Sequence, residues 1–304
     1  MARILKWIFI VLPFCCLGQQ PKPKPFAGTV IRFENYLSQY VQPRNIDVWL
    51  PPGYVAKKKY AVLYMQDGQM LFDSTITWNK QEWQVDETMS WLLGEKKIMD
   101  CIVVAISNTD ASRHSEYFPW KPIAKMSPQI RDTLLAEELL GKSQSDNYLS
   151  FLVKELKPFI DRQFPTYKDQ RHTFIAGSSM GALISLYALC EYPRVFYGAA
   201  CLSTHWPGSL LHSSDDIPLA FMAYLQNHLP DPETHRIYFD YGSLTLDSHY
   251  KRYQRMADKL MKAAGYKKKN WVTQEFPGED HSEAAWGKRL DIPLVFLLSP
   301  DVEE

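Results

Sequence analysis

Beyond residue 18, no stretch of this 304-residue chain reaches the roughly twenty consecutive apolar residues that a membrane-spanning helix needs. Cysteine is scarce: of 5 in the chain, just Cys101, Cys190 and Cys201 follow residue 18. That odd number argues against a disulfide framework, and the spacing suits neither a zinc site nor a catalytic thiol. Cys101 and Cys201 stand in apolar runs and read as small buried hydrophobes. Net charge is absent too, with 34 basic residues balancing 34 acidic ones. A neutral body attracts neither nucleic acid nor an anionic membrane surface. Glycine is sparse at 14 residues, and no internal repeat or low-complexity block occurs, so collagen-like and disordered chains are excluded.

What is present is the composition of a compact protein, 46% hydrophobic and 22% charged, with 9 Trp and 17 Tyr to build a core or line a cleft. The N-terminus has the layout of an export signal. Arg3 and Lys6 precede an apolar run of about eleven residues, 7–17, and the small Gly18 suits cleavage before Gln19. The expected organisation is a signal peptide over 1–18, a flexible Pro/Lys leader over 19–27 and one domain over 28–304. Loss of Arg3 and Lys6 leaves a balance of −2. The expected location is secreted or periplasmic. The competing reading is a lipid anchor at Cys15 or Cys16, which Leu12-Pro13-Phe14 matches poorly.

Apolar runs alternate with amphipathic stretches along the rest of the chain. The pattern predicts strands over 44–50, 60–65, 101–107, 173–176, 198–202, 236–241 and 271–276. Helices are expected over 84–93, 147–164, 180–191, 220–228 and 248–264, with Asp146 capping one and Gly265 closing another. Strands that are apolar throughout and alternate with helices imply an α/β domain, a mostly parallel sheet covered on both faces. The opening strands, joined by Pro51-Pro52-Gly53, are placed as an antiparallel edge. Two segments break the rhythm, near 120–145 and 205–234. Both leave from the strand ends where open α/β sheets bind ligands, so they are candidate cleft walls or lids, or else surface decoration.

The strongest local signal is Gly177-Ser178-Ser179-Met180-Gly181, lying after the 173–176 strand and opening the 180–191 helix. This is G-x-S-x-G in strand–turn–helix context, a nucleophile elbow. Ser179 must occupy a tight strained turn, where side chains two residues either way would collide. The helix N-terminus behind it offers free N–H groups to a developing oxyanion. A serine nucleophile needs a base and a group to orient that base. His281, in a loop just past the last strand, is the base that fits the chain order. His205, His212, His228, His235 and His249 read as ordinary solvated residues. Asp247 is favoured as the acid, with Asp240, still inside a strand, and Asp280 as competitors. The loop Gln66-Asp67-Gly68-Gln69 follows an early strand, so the second oxyanion N–H is assigned to Gln69, or else Gly68, beside that of Met180. Asp67 and Asp73 lack the ligand density of a calcium loop, and no metal is expected.

These segments resemble the esterase D-like family of α/β-hydrolases, which includes feruloyl, acetyl-xylan and siderophore esterases and mycolyltransferases. The likeness is carried by 48–54, by 63–72 with its Asp-Gly-Gln, and by Asn108-Thr109 with Arg113, Glu116, Tyr117 and Pro119. The elbow, Asp240-Tyr241-Gly242 and Gly278-Glu279-Asp280-His281 with Trp286 complete it. The resemblance implies an α/β-hydrolase fold, a Ser179–Asp247–His281 triad without a cofactor, and a small-molecule or glycan ester as substrate. One departure stands out: relatives often carry the acid where this chain has Thr245, two residues before Asp247. Arg113 is read either as a substrate ligand or as a loop anchor through Glu116. Trp78, Trp83, Trp206 and Trp286 are read as stacking surfaces or as core. Transfer of the acyl group to an alcohol, or a non-catalytic binding role on the same fold, are the competing functions.

Overall fold

Strand residues point alternately to the two faces of a sheet, and here each face carries its own core. The computed structural model describes residues 20–209, 211 and 214–300. The expected signal peptide, Cys15, Cys16, Gln19 and His212 lie outside the described residues. Eight strands form one sheet: β1 (Thr29–Tyr36), β2 (Arg44–Leu50), β3 (Ala61–Met65), β4 (Cys101–Ile106), β5 (Thr173–Ser178), β6 (Gly198–Leu202), β7 (Arg236–Gly242) and β8 (Trp271–Phe276). Their order is β1-β2-β4-β3-β5-β6-β7-β8. From β4 to β8 all neighbours are parallel, while β2 runs antiparallel to both β1 and β4.

The antiparallel edge is therefore the β1–β2 hairpin, and not a pairing of β2 with β3 across Pro51-Pro52-Gly53. β1 has no apolar run to announce it. Its sequence TVIRFENY is only partly buried, and Arg32 grips Asp47 of β2 through two hydrogen bonds of 2.8 and 2.7 Å.

The helices are α1 (Val85–Gly94), α2 (Arg113–Tyr117), α3 (Trp120–Ala124), α4 (Pro128–Glu137), α5 (Ser145–Ser150), α6 (Lys157–Gln163), α7 (Met180–Glu191), α8 (Asp216–His228), α9 (Lys251–Ala263), α10 (Glu283–Gly287) and α11 (Asp291–Leu298). A π-helical stretch, Phe151–Leu156, joins α5 to α6. On one face Ala61, Leu63 and Met65 pack with α1 and α11; on the other Val62 and Tyr64 pack with α5, α7 and α8. α7, which leaves the elbow, is buried nearly all round, as its run of Ala, Leu and Ile requires.

Gly265 follows α9 in the left-handed region, with φ +89°, and closes that helix as its position suggested. Asp146 does not cap the helix before Pro165. The helix starts one residue earlier, and Asp146 instead accepts a hydrogen bond of 2.6 Å from the Tyr187 hydroxyl. The 120–145 segment folds into α3 and α4, and α3 packs on α8 from the other irregular segment. Cys101, Cys190 and Cys201 are buried free thiols.

Residues 20–27 lie along the domain, where Asp73 accepts from the Lys24 N–H and Asp86 from the Ala27 N–H, each at 2.9 Å. Beside Asp86, burial pushes the Glu87 carboxyl up from its ordinary value to about 7, and the neighbouring carboxylates add to this. The folded state thus keeps a proton that the unfolded chain releases. Stability is complete below the ordinary glutamate range near pH 4.5 and declines as pH rises to about 7. Glu87→Gln is expected to raise Tm at pH 8 by about 2–4 °C, the equivalent of roughly 1 kcal/mol for a side chain screened by partial exposure. At pH 4 the two proteins should melt together.

Candidate active site

β5 ends in the tight turn that the elbow pattern demands. Ser179 sits at φ 56°, ψ −122°, a strained conformation for a residue with a side chain. The flanking glycines are required by contact: a Cβ on Gly177 would lie 2.7 Å from the carbonyl of Gly181, and one on Gly181 would lie 3.0 Å from Gln66 Cβ. Ser179 is thereby raised into a cleft of about 690 Å³ that His281 also lines. Its backbone is tied to the neighbouring β6 connection, donating to Leu202 at 3.0 Å and accepting from the His205 N–H at 3.2 Å.

His281 Nδ1 lies 2.6 Å from Asp247 Oδ1. Asp247 is fully buried, and its other oxygen accepts from the Gly242 N–H at 2.5 Å and from Ser203 Oγ at 2.6 Å. Asp247 reaches this place from the 3₁₀ turn Thr245–His249 after β7. Thr245, which stands where relatives often carry the acid, uses its hydroxyl to accept the His281 N–H at 2.9 Å. The turn advances the acid by two residues, and the displaced position secures the histidine main chain.

Asp240 is occupied elsewhere. It is buried against Arg289, which donates to both its oxygens at 3.1 and 3.0 Å, and it also accepts the Ser203 N–H at 3.2 Å. Burial raises its pKa and the arginine opposes that rise. Asp280 accepts from Ser282 Oγ at 2.6 Å, at the cap of α10.

The Asp67-Gly68-Gln69 loop hugs the end of β4 so closely that a Cβ on Gly68 would lie 2.5 Å from the Ala105–Ile106 backbone. The Asp67 carboxylate receives Arg113 Nε and Nη2, both at 2.7 Å, and Asn108 Nδ2 at 2.6 Å. Gln69 Oε1 accepts the Asn108 N–H at 3.1 Å. Arg113 thus holds the loop through Asp67 rather than Glu116, and it also lines the cleft. Glu116, the partner expected from sequence, is instead buried against Arg44 with contacts of 2.9 and 2.6 Å. The Met180 N–H opens α7 and, as the first of a helix, has no acceptor within it.

The tryptophans separate. Trp206 does not reach the cleft: it is buried with Phe221 and Leu183, and its indole donates to Gln254 at 2.9 Å. Trp286 borders the cleft but is also buried. Its indole N–H donates to Ser203 Oγ at 2.9 Å, and its ring backs His281 edge-on at 4.9 Å. Trp83 is buried beneath it, whereas Trp78 is 83% exposed at the rim beside Asn79 and Gln81. Among the described residues, none of either irregular segment, 120–145 or 205–234, lines this cleft; its walls are the 67–83, 108–113 and 281–286 loops.

Two residues escaped the sequence reading. His205, expected to be an ordinary solvated residue, is instead buried with Nδ1 2.7 Å from the Tyr250 hydroxyl, and burial, with nearby His281, holds its pKa down to about 3. Tyr250 stands three residues past Asp247 and donates its N–H to that residue's carbonyl at 2.9 Å. That spacing, one turn beyond the candidate acid, was the available signal.

A family model described as Putative esterase matches residues 38–296. The Bacillus subtilis (strain 168) protein YbbA, described as uncharacterized, is 25% identical over 165 residues, which are 54% of this chain and 58% of that protein. The chain thus matches less than two thirds of YbbA's length. Among solved structures, a ferulic acid esterase superposes with a TM-score of 0.62 at 18% identity, covering 90% of this chain and 99% of that one. The enterobactin esterase from Shigella flexneri superposes at 0.64 and 16% identity, covering 90% of this chain and 60% of that one. These likenesses show the fold, which is that of the α/β-hydrolases.

Proposed function

The chain belongs to the Putative esterase family, and on that premise we propose that it is a carboxylic ester hydrolase working through Ser179, His281 and Asp247. The observation that carries this reading is the 2.6 Å bond from His281 to the buried Asp247 at the cleft into which the strained elbow raises Ser179. His281 Nε2 takes the Ser179 proton as Oγ attacks the ester carbonyl. Asp247 holds the proton on Nδ1, so that Nε2 is free to act, and stabilises the imidazolium that forms. The carbonyl oxygen becomes an oxyanion held by the Met180 and Gln69 N–H groups. Collapse expels the alcohol, which leaves with the proton from His281. Water, deprotonated by the same nitrogen, then attacks the acyl-enzyme, and the carboxylic acid departs as Oγ recovers its proton. No step calls for a cofactor.

The substrate reading is an acyl ester of a carbohydrate or a siderophore-like ester. The exposed ring of Trp78 at the cleft rim supports it, offering a flat apolar face to an alcohol moiety. The export signal over 1–18 supports action outside the cytoplasm. Hydrolysis of p-nitrophenyl acetate, followed by panels of feruloyl, acetyl-sugar and catecholate esters, tests the reading. Turnover on the first with selection within the second is expected; no ester hydrolysis at all would overturn it.

The Asp67–Arg113–Asn108 network sets the height of the Gln69 N–H. Arg113→Ala is expected to lower kcat by about ten- to a hundredfold, less than the 10²–10³ for outright loss of an oxyanion donor, with KM changed little. Steady-state kinetics on one ester checks this, and a change confined to KM would instead make Arg113 a substrate ligand.

A further inference from the structure

Behind the triad acid stands a second serine that takes no part in the reaction steps. Ser203 follows directly on β6, is fully buried, and holds φ 44°, a left-handed conformation that residues with a side chain seldom adopt. Glycine would meet that backbone demand more easily, so the backbone alone does not call for serine here. Its N–H donates to Asp240, to the carbonyl at 2.9 Å and to Oδ1 at 3.2 Å, which fastens the turn to β7. Its Oγ has three partners: Trp286 Nε1 at 2.9 Å, Arg289 Nη2 at 3.2 Å and Asp247 Oδ2 at 2.6 Å. An indole N–H and a guanidinium can only donate, so they occupy the lone pairs of Oγ and its single proton goes to the carboxylate. The chemistry of the partners thus fixes the direction of the hydroxyl. Asp247 Oδ2 accepts the Gly242 N–H as well, at 2.5 Å, which leaves Oδ1 to face His281 Nδ1 at 2.6 Å. The Trp286 ring packs edge-on against His281, so one indole touches the base and also the group that holds the acid.

Resting on the serine-hydrolase reading, we propose that Ser203 is a positioning residue for Asp247, pinning Oδ2 so that Oδ1 stays on His281 Nδ1. The terminal torsion of an aspartate is broad and roughly two-fold, so a carboxylate held at one point can turn. Here Oδ2 is held from two separate elements, by Gly242 at the end of β7 and by Ser203 just past β6, and turning breaks both bonds. Ser203 is itself held by Trp286 and by Arg289, whose Nε and Nη2 also bind Asp240. The contribution acts on the chemical step, because Ser203 is not among the residues lining the substrate cleft.

Ser203→Ala removes the hydroxyl and is expected to lower kcat for p-nitrophenyl acetate about tenfold, the worth of one hydrogen bond to a charged group, with KM within about twofold. Ser203→Gly removes the same hydroxyl while relieving the left-handed backbone, and should lose kcat by the same factor whatever its Tm. In the Asp247→Asn background, Ser203→Ala should lower kcat by less than about twofold further, because the carboxylate it positions is already gone. A generally loosened fold would instead lose about tenfold in either background. Wild-type kcat in both single variants, or the same loss repeated in the Asp247→Asn background, would overturn the positioning role while leaving the hydrolase reading intact. If the wild-type protein neither turns over ester nor takes a fluorophosphonate on Ser179, the hydrolase reading falls and the role of Ser203 falls with it.

Discussion

Ser179→Ala is expected to lower kcat/KM for an activated ester by about 10⁵, equivalent to about 7 kcal/mol of transition-state stabilisation. The loss arises because no covalent intermediate can form, while residual rate comes from the Met180 and Gln69 N–H groups and from binding. The fold should survive. The position already holds a side-chain-bearing residue at φ 56°, and alanine asks nothing more of that turn. A Tm within a few degrees of wild type, with esterase activity at background, is the expected pair of readings. Ser178, the adjacent hydroxyl, is buried in the last position of β5 and should not substitute.

The second large effect separates two aspartates that look alike in sequence. Asp247→Asn is expected to cost about 10⁴ in kcat, because an amide turned toward His281 Nδ1 holds the imidazole in the wrong tautomer. Its stability cost should be smaller, since the amide can still serve the Gly242 N–H. Asp240→Asn should do the reverse. It unbalances a buried pair with Arg289, a loss of about 3–5 kcal/mol of stability, and leaves kcat within about tenfold. The residual effect on kcat travels through Ser203, whose hydroxyl donates to Asp247 and accepts from Arg289 Nη2 at 3.2 Å. Kinetics and thermal melts on both variants check the contrast, and a 10⁴ loss in Asp240→Asn instead would move the acid to that residue.

The two aspartates also mark where the chain stops being readable. Chemical identity and chain order admit both; what divides them is that Arg289 reaches one and His281 the other, over separations of 49 and 34 residues. The elbow was legible because its glycines answer a local steric demand. The buried strands were legible because a strand covered on both faces must be apolar throughout. β1 lies at the edge with a half-exposed mixed sequence, and hydrophobic pattern cannot announce it. The direction in which Trp206 points was equally hidden, since its place just after β6 is shared by cleft-facing and core-facing side chains. Tyr250 gains its contact with His205 through the course of the β6 connection, which the sequence does not display.

Covalent capture tests the assignment of Ser179 as the nucleophile most directly. The protein is treated with a fluorophosphonate, digested with trypsin, and the peptide spanning 172–194, which holds Ser178, Ser179 and Ser185, is sequenced by mass spectrometry. One adduct, on Ser179, is expected, with ester hydrolysis lost in proportion to labelling. An adduct on Ser178 or outside this peptide, or full hydrolysis by protein labelled at Ser179, would contradict it.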